Sequence, residues 1–283
     1  MLRLSNDRYG ESGVRLMKIT RRGDRHEVRE LTVAIDFEGD FDAAHVIGDS
    51  RSILPAGTVQ NTVFALAGRH GGGEIEEFAL ALTQHFILEH EPISAVSVSV
   101  SEQSWNRVQI GGRPRNYAFS RSGDEKRVTS VRRTRGDVSV DAGIADLRIL
   151  ESNPSRADNH LRGRYTTAAE TAERLVSTVL NVQWRYGWIE IPFGVHWRQV
   201  RELLLSTFAE HEGQSVQHML YAMAQTVLEQ CPPVAEIHFR LPSHSYPLAD
   251  LSGFGLDNDN EVFIATHEPF DVIEATVRRE EIG

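Results

Sequence analysis

One cysteine in 283 residues, Cys231 directly ahead of Pro232-Pro233, leaves no partner for an intramolecular disulfide and no cysteine-only metal cage. That usage fits a reducing compartment, and the cytoplasm is the expected location. No run of 18 apolar residues occurs, and residues 1–20 alternate charged with apolar positions without the apolar core of a signal peptide. Neither a membrane span nor an export signal is expected. Positive charge is in deficit: 30 Lys and Arg against 40 Asp and Glu leave a formal charge of −10, which repels nucleic-acid phosphates and anionic bilayers. The basic run Arg132-Arg133-Thr134-Arg135 lacks interleaved aromatics and reads as a solvated turn or strand face. The pairs His211/His218 and His238/His244 lack carboxylate-supported ligand spacing, and no HExxH motif occurs, so no metal site is expected.

What is present is a chain of ordinary globular composition, 40% hydrophobic and 25% charged, long enough for one large domain or two of about 140 residues. Residues 14–20 and 30–39 carry strand patterns around a turn at Arg22-Gly23-Asp24. Residues 58–67 and 74–89 read as amphipathic helices, with Ile75, Phe78, Ala79, Leu82 and Phe86 recurring at three and four. Between them Gly71-Gly72-Gly73 reads as a flexible connection, since it lacks the preceding strand and the lysine of a phosphate loop. Residues 93–100 alternate valine with serine, and 107–110 and 117–119 lead toward a second strand pair near residue 140.

The second half repeats the order, with a strand at 179–186, helices at 197–210 and 215–230, and strands at 236–241 and 261–265. A strand pair at 184–188 and 189–192 is expected, as is a threonine-capped helix start at Thr166-Thr167-Ala168-Ala169-Glu170 carrying Arg174. The pattern is ββααββ twice, an α+β chain divided at about residue 140 into segments 1–140 and 141–283. No long linker separates the halves, which predicts that they pack as one unit.

Ordered blocks along the chain resemble urate oxidase: Arg8-Tyr9-Gly10 with Val14-Arg15, Gln60-Asn61-Thr62-Val63-Phe64-Ala65, Tyr165-Thr166-Thr167 with Arg174, Ser215-Val216-Gln217, and several pairs between Leu241 and Val277. The resemblance implies two tandem T-fold domains, each an antiparallel sheet with two helices on one face. It also implies homotetramers with active sites at subunit interfaces, and oxidation of a purine by molecular oxygen with no cofactor. The arginine and glutamine that grip the ligand's carbonyl and ring-nitrogen edge fall at Arg174 and Gln217, with Val216 giving a backbone contact. A planar donor fork beside an amide suits an imide edge. Read from the residues alone, Arg174 could instead pair with an acid, and Gln217 could cap the helix that begins near Ser215.

Other family positions differ. The lysine and threonine of the proton relay fall at Glu11 and Ala56, the neighbouring aspartate at Gly57, the stacking phenylalanine near Ala157, and the asparagine and histidine that hold oxygen at Ser243 and Ser245, around His244. A glutamate can act as a base when burial raises its pKa, so Glu11 and His244 are the candidates for proton transfer. Loss of the phenylalanine removes stacking of about 1–3 kcal/mol, by analogy with base–aromatic contacts. Ser243-His244-Ser245 also reads as a polar loop, because adjacent strand residues face opposite ways and no orienting acid is evident.

Two functions remain open: a diverged enzyme acting on urate or a related imide-bearing heterocycle by altered chemistry, and a catalytically silent homologue serving as a ligand-binding or structural subunit. Pairing with an active paralogue is a further possibility. In the family the lysine and threonine come from one subunit and the remaining site residues from its neighbour, so such a partner would complete the relay but not the oxygen site.

Overall fold

The computed structural model describes residues 4, 7–152, 161, 163–165, 175–211, 215–244, 246–265 and 271–280. In chain order the elements are β1 (Arg8–Arg22), β2 (Arg25–Gly39), α1 (Asp42–Val46), α2 (Ala56–His70), α3 (Ile75–Glu89), β3 (Ile93–Ile110), β4 (Arg113–Thr134), β5 (Val138–Glu151), β6 (Val176–Tyr186), α4 (Phe193–Glu210), α5 (Val216–Gln230), β7 (Val234–His244) and β8 (Asp271–Arg278). Apart from the short α1, this is ββααββ twice, with the strands in sequence order in one eight-stranded sheet. Two compact units divide the chain: Met1–Gly143 with Arg185–Gly194, and Ile144–Trp184 with Val195–Gly283. Among the described residues no helix is long and apolar enough to cross a membrane.

In the first unit the β1–β2 hairpin runs in register from Arg22↔Arg25 to Arg8↔Glu38, shifted by a bulge between Glu11 and Val14. Gly13 sits in that bulge at φ +77°, a conformation glycine adopts without steric cost. Period-2 alternation buries Leu31, Val33, Ile35 and Phe37 of β2 together with Val96, Val98 and Val100 of β3. The 3.6-residue period of α3 lays Ile75, Phe78, Ala79, Leu82 and Phe86 against β3 and β4, with Phe86 edge-on to Phe37 at 5.0 Å. Fully burying each of the larger side chains among these, Ile75, Phe78, Leu82 and Phe86, stabilises the fold by about 1.5–3 kcal/mol.

The second unit repeats the scheme. Leu180, Val182 and Trp184 of β6 and Ile237, Phe239 and Leu241 of β7 alternate into its core. The helix α5 packs on β7 and β8, burying Met219, Leu220, Met223, Ala224, Val227 and Leu228.

Several expectations are corrected. The last strand is β8 at Asp271–Arg278, not 261–265. Phe263 makes only an isolated bridge to Leu248, and the backbone around 261–262 is organised by the Asn258 side chain. That amide donates to the carbonyls of Ala249 at 2.9 Å and Val262 at 2.7 Å and accepts from the N–H groups of Glu261 and Val262 at 3.1 Å. The pair at 184–188 and 189–192 does not form: β6 ends at Tyr186, and Pro192, which lacks a ladder N–H, leads directly into α4. Residues 93–134 make one long hairpin, β3–β4, where shorter pieces were expected. The Gly71–Gly73 connection is tied down, its carbonyls accepting from Arg29 and its Gly71 N–H bonding the Ala67 carbonyl at 3.0 Å. The helix start at 166–170 lies outside the described residues.

Candidate functional site

The first unit presents Glu11, Ala56 and Gly57. Glu11 projects from the bulged part of β1, half-buried, and its Oε1 accepts a hydrogen bond from Gln60 Nε2 on α2 at 2.8 Å. Two residues earlier, the Tyr9 ring packs on Phe37 at 5.0 Å and Phe41 at 4.7 Å, while its hydroxyl accepts from the Leu54 N–H at 3.1 Å. Burial raises the Tyr9 pKa, so the phenol stays protonated and tethers the segment leading into α2. Pro55 occupies the N-cap of α2 in an extended conformation with no side-chain cap bond. Ala56 and Gly57 then open the helix, exposed and without hydroxyl or carboxylate. A Cβ built at Gly57 meets nothing within 4 Å, so packing does not require glycine there.

The second unit presents Val216, Gln217, Ser243 and His244. Ser215, and not Gln217, is the N-cap of α5: its hydroxyl accepts from the His218 N–H at 3.1 Å. That leaves the Gln217 side chain exposed and without a hydrogen-bond partner among the described residues, on a first turn anchored by buried Met219 and Leu220. Val216 is half-buried beside it. The imidazoles of His211 and His218 approach to 4.7 Å between ring centroids.

Ser243 and His244 finish β7 as strand residues, which corrects the loop expected there. Ser243 pairs with Asp271 of β8, and its buried hydroxyl has no hydrogen-bond partner among the described residues. His244 is 7% exposed with its Nδ1 likewise unbonded. Burial, and secondarily the positive charge of Arg148, pushes the His244 pKa down and favours the neutral imidazole. On neighbouring β6 the buried Ser177 hydroxyl is unbonded too, and Thr178 donates to the Pro242 carbonyl at 3.0 Å.

Arg174, Ala157 and Ser245 lie outside the described residues. Val216 with Gln217, Ala56 with Gly57, and Ser243 with His244 are neighbours by chain order, each pair within a single unit. It adds Gln60, Tyr9 and Ser177, whose parts no local pattern marked, since each depends on a strand or helix distant in sequence. Among the described residues no group of three or more His, Cys, Asp or Glu side chains is placed to hold a metal ion. The exposed amide of Gln217, with the open backbone N–H groups of a helix first turn, supplies donors and an acceptor for a planar heteroatom edge. Glu11 and neutral His244 supply proton acceptors.

A family model described as Uricase matches residues 7–132 and 140–274. The chain is 37% identical over 277 residues to the uricase of Arthrobacter globiformis, covering 98% of this chain and 90% of that protein. It is 33% identical over 295 residues to the uricase of Cyberlindnera jadinii, covering 98% and 97%. The crystal structure of the Arthrobacter globiformis uricase superposes with a TM-score of 0.92 at 37% identity, over 99% of this chain and 96% of that one. A urate oxidase structure from Bacillus sp. TB-90, 19% identical, shares the fold with a TM-score of 0.85.

Proposed function

The chain belongs to the uricase family, and from that premise we propose that it binds urate or a related imide-bearing purine through Arg174, Gln217 and the backbone of Val216, acting on it without a metal or organic cofactor. The observation that carries this reading is the free, exposed Gln217 amide on a turn whose capping is done by Ser215. Were Gln217 a structural cap, its amide would be spent on the helix. Molecular oxygen is the co-substrate. A deprotonated urate is electron-rich enough to react with oxygen, so the protein's task is to hold the anion and take up its proton. In this chain the proton acceptors are Glu11, oriented by Gln60, and the neutral His244 imidazole. The chemistry thus departs from the lysine and threonine relay of ordinary uricases. Assembly is as a homotetramer in the cytoplasm.

A second reading, a silent ligand-binding or structural subunit, is favoured by the first unit, where Ala56 and Gly57 offer no proton-relay group and the Glu11 carboxylate is engaged by Gln60. In that case a hetero-oligomer with an active paralogue is the natural assembly. Oxygen consumption measured with loss of the urate absorbance band, beside a urate binding titration, separates the two. Turnover supports the enzyme, binding without turnover supports the silent subunit, and absence of both removes the ligand assignment.

A further inference from the structure

Residues 127, 129, 131 and 133 share one face of β4, the face over which α3 lies, and Thr129 and Val131 between the two arginines are buried. The arginines stand at opposite ends of the helix and are satisfied differently. Beneath its start, Arg127 donates to Glu74 at 2.5 Å and to Glu76 at 2.7 Å. Beneath its end, Arg133 meets no carboxylate among the described residues. Its Nε donates to the buried Thr83 hydroxyl at 3.3 Å, and burial alone pushes its pKa down. The expectation of a solvated turn or strand face holds for Arg132, which faces outward to Glu38 at 2.9 Å, and for exposed Arg135; Arg133 departs from it, half-buried on the face that α3 covers.

A guanidinium carries five N–H donors, of which Arg133 gives one to Thr83; the residue lines a cavity of about 280 Å³ together with Gln84, Ile87, Leu88, Thr134 and Arg135. Arg135 is committed to the carbonyls of Glu91 at 2.9 Å and Ile93 at 3.3 Å. Ile87, buried, and Leu88, 69% exposed, make a hydrocarbon wall. The carbonyl end of α3 lends Arg133 partial negative charge but does not occupy its fork. A planar fork without a counter-charge beside an apolar wall is complementary to a carboxylate on a small hydrocarbon body.

We propose that this cavity binds a small organic monocarboxylate, Arg133 receiving the carboxylate and Ile87 and Leu88 the hydrocarbon. The volume, near the lower bound of about 300 Å³ for ligand pockets, restricts the ligand to roughly the size of benzoate. The site lies wholly within the first unit and is independent of the urate reading.

The test is calorimetric titration of the whole protein with sodium benzoate and, as an uncharged counterpart, benzamide. The expected result is saturable benzoate binding at one per chain, with benzamide weaker by about tenfold or more. Arg133→Met, which keeps the apolar stem, and Leu88→Asp, an exposed position where a new carboxylate repels the ligand, should each weaken benzoate by about tenfold while leaving urate binding in place. Gln217→Ala should leave benzoate binding unchanged. Absence of saturation, equal affinity for benzamide, or a loss that follows Gln217→Ala and not Arg133→Met overturns the proposal.

Discussion

In the first unit, Ala56 and Gly57 carry no polar side chain and the Glu11 carboxylate is bonded by Gln60; in the second, the Gln217 amide is exposed and has no hydrogen-bond partner among the described residues, Ser215 performing the capping. Packing does not dictate the small residues at these two positions of the first unit, since Ala56 is exposed and a side chain at Gly57 would enter open space. Under the proposed reading, polar side chains should therefore fit at Ala56 and Gly57 without disturbing the fold.

The largest effect is expected from restoring the family's residues. Combining Glu11→Lys, Ala56→Thr, Ser243→Asn and Ser245→His should raise urate turnover by about 10²–10⁴-fold, the usual worth of positioned proton transfer. Oxygen uptake reads it directly, and a rate no higher than the parent's would show that these four positions are not what limits the chain. Next in size, Gln217→Ala should weaken urate binding about 10- to 100-fold, because it leaves polar atoms of the ligand unpaired. A titration giving the parent affinity would erase the contrast between the halves.

Ser215→Ala tests whether the turn owes its shape to the cap. Urea unfolding should show a loss of about 1 kcal/mol, and an unchanged midpoint would mean that the anchoring by Met219 and Leu220 suffices. The smallest effect concerns His244, whose pKa is depressed in the folded state. Below its ordinary pKa of about 6.5 the unfolded chain takes up the proton first. The stability contributed by neutral His244 is therefore complete above that pH and is lost as pH falls toward the folded value. The drop in urea midpoint between about pH 7.5 and about pH 5.5 should shrink in His244→Gln; an equal drop in both proteins would remove His244 from the list of neutral proton acceptors.

Much of the fold was legible because its signals are local. The period of Ile75, Phe78, Ala79, Leu82 and Phe86 marks the buried face of α3, and the valine–serine alternation of 93–100 marks a strand buried on one side. The final strand was misplaced because residues 261–265 have strand-like composition while their backbone is held within the loop, Asn258 accepting from Glu261 and Val262 and the Ile264 N–H donating to the Pro247 carbonyl. Arg133 was misread for the same kind of reason: nothing in Arg132-Arg133-Thr134-Arg135 states which arginine lies on the face that α3 covers. Gln60 was visible only as one residue of a matching block; its bond to Glu11 depends on α2 crossing β1.

Periodicity, composition and ordered motif spacing were enough to settle the class of fold, the doubled ββααββ order and the family, because each is carried by residues close together along the chain or by their sequence of blocks. Which polar groups are spent and which are free was decided only by the folded chain. A hydrogen bond extends about 3 Å, and whether Glu11 meets Gln60, Ser215 relieves Gln217, or Arg133 lacks the carboxylates that Arg127 has depends on contacts that chain order does not encode.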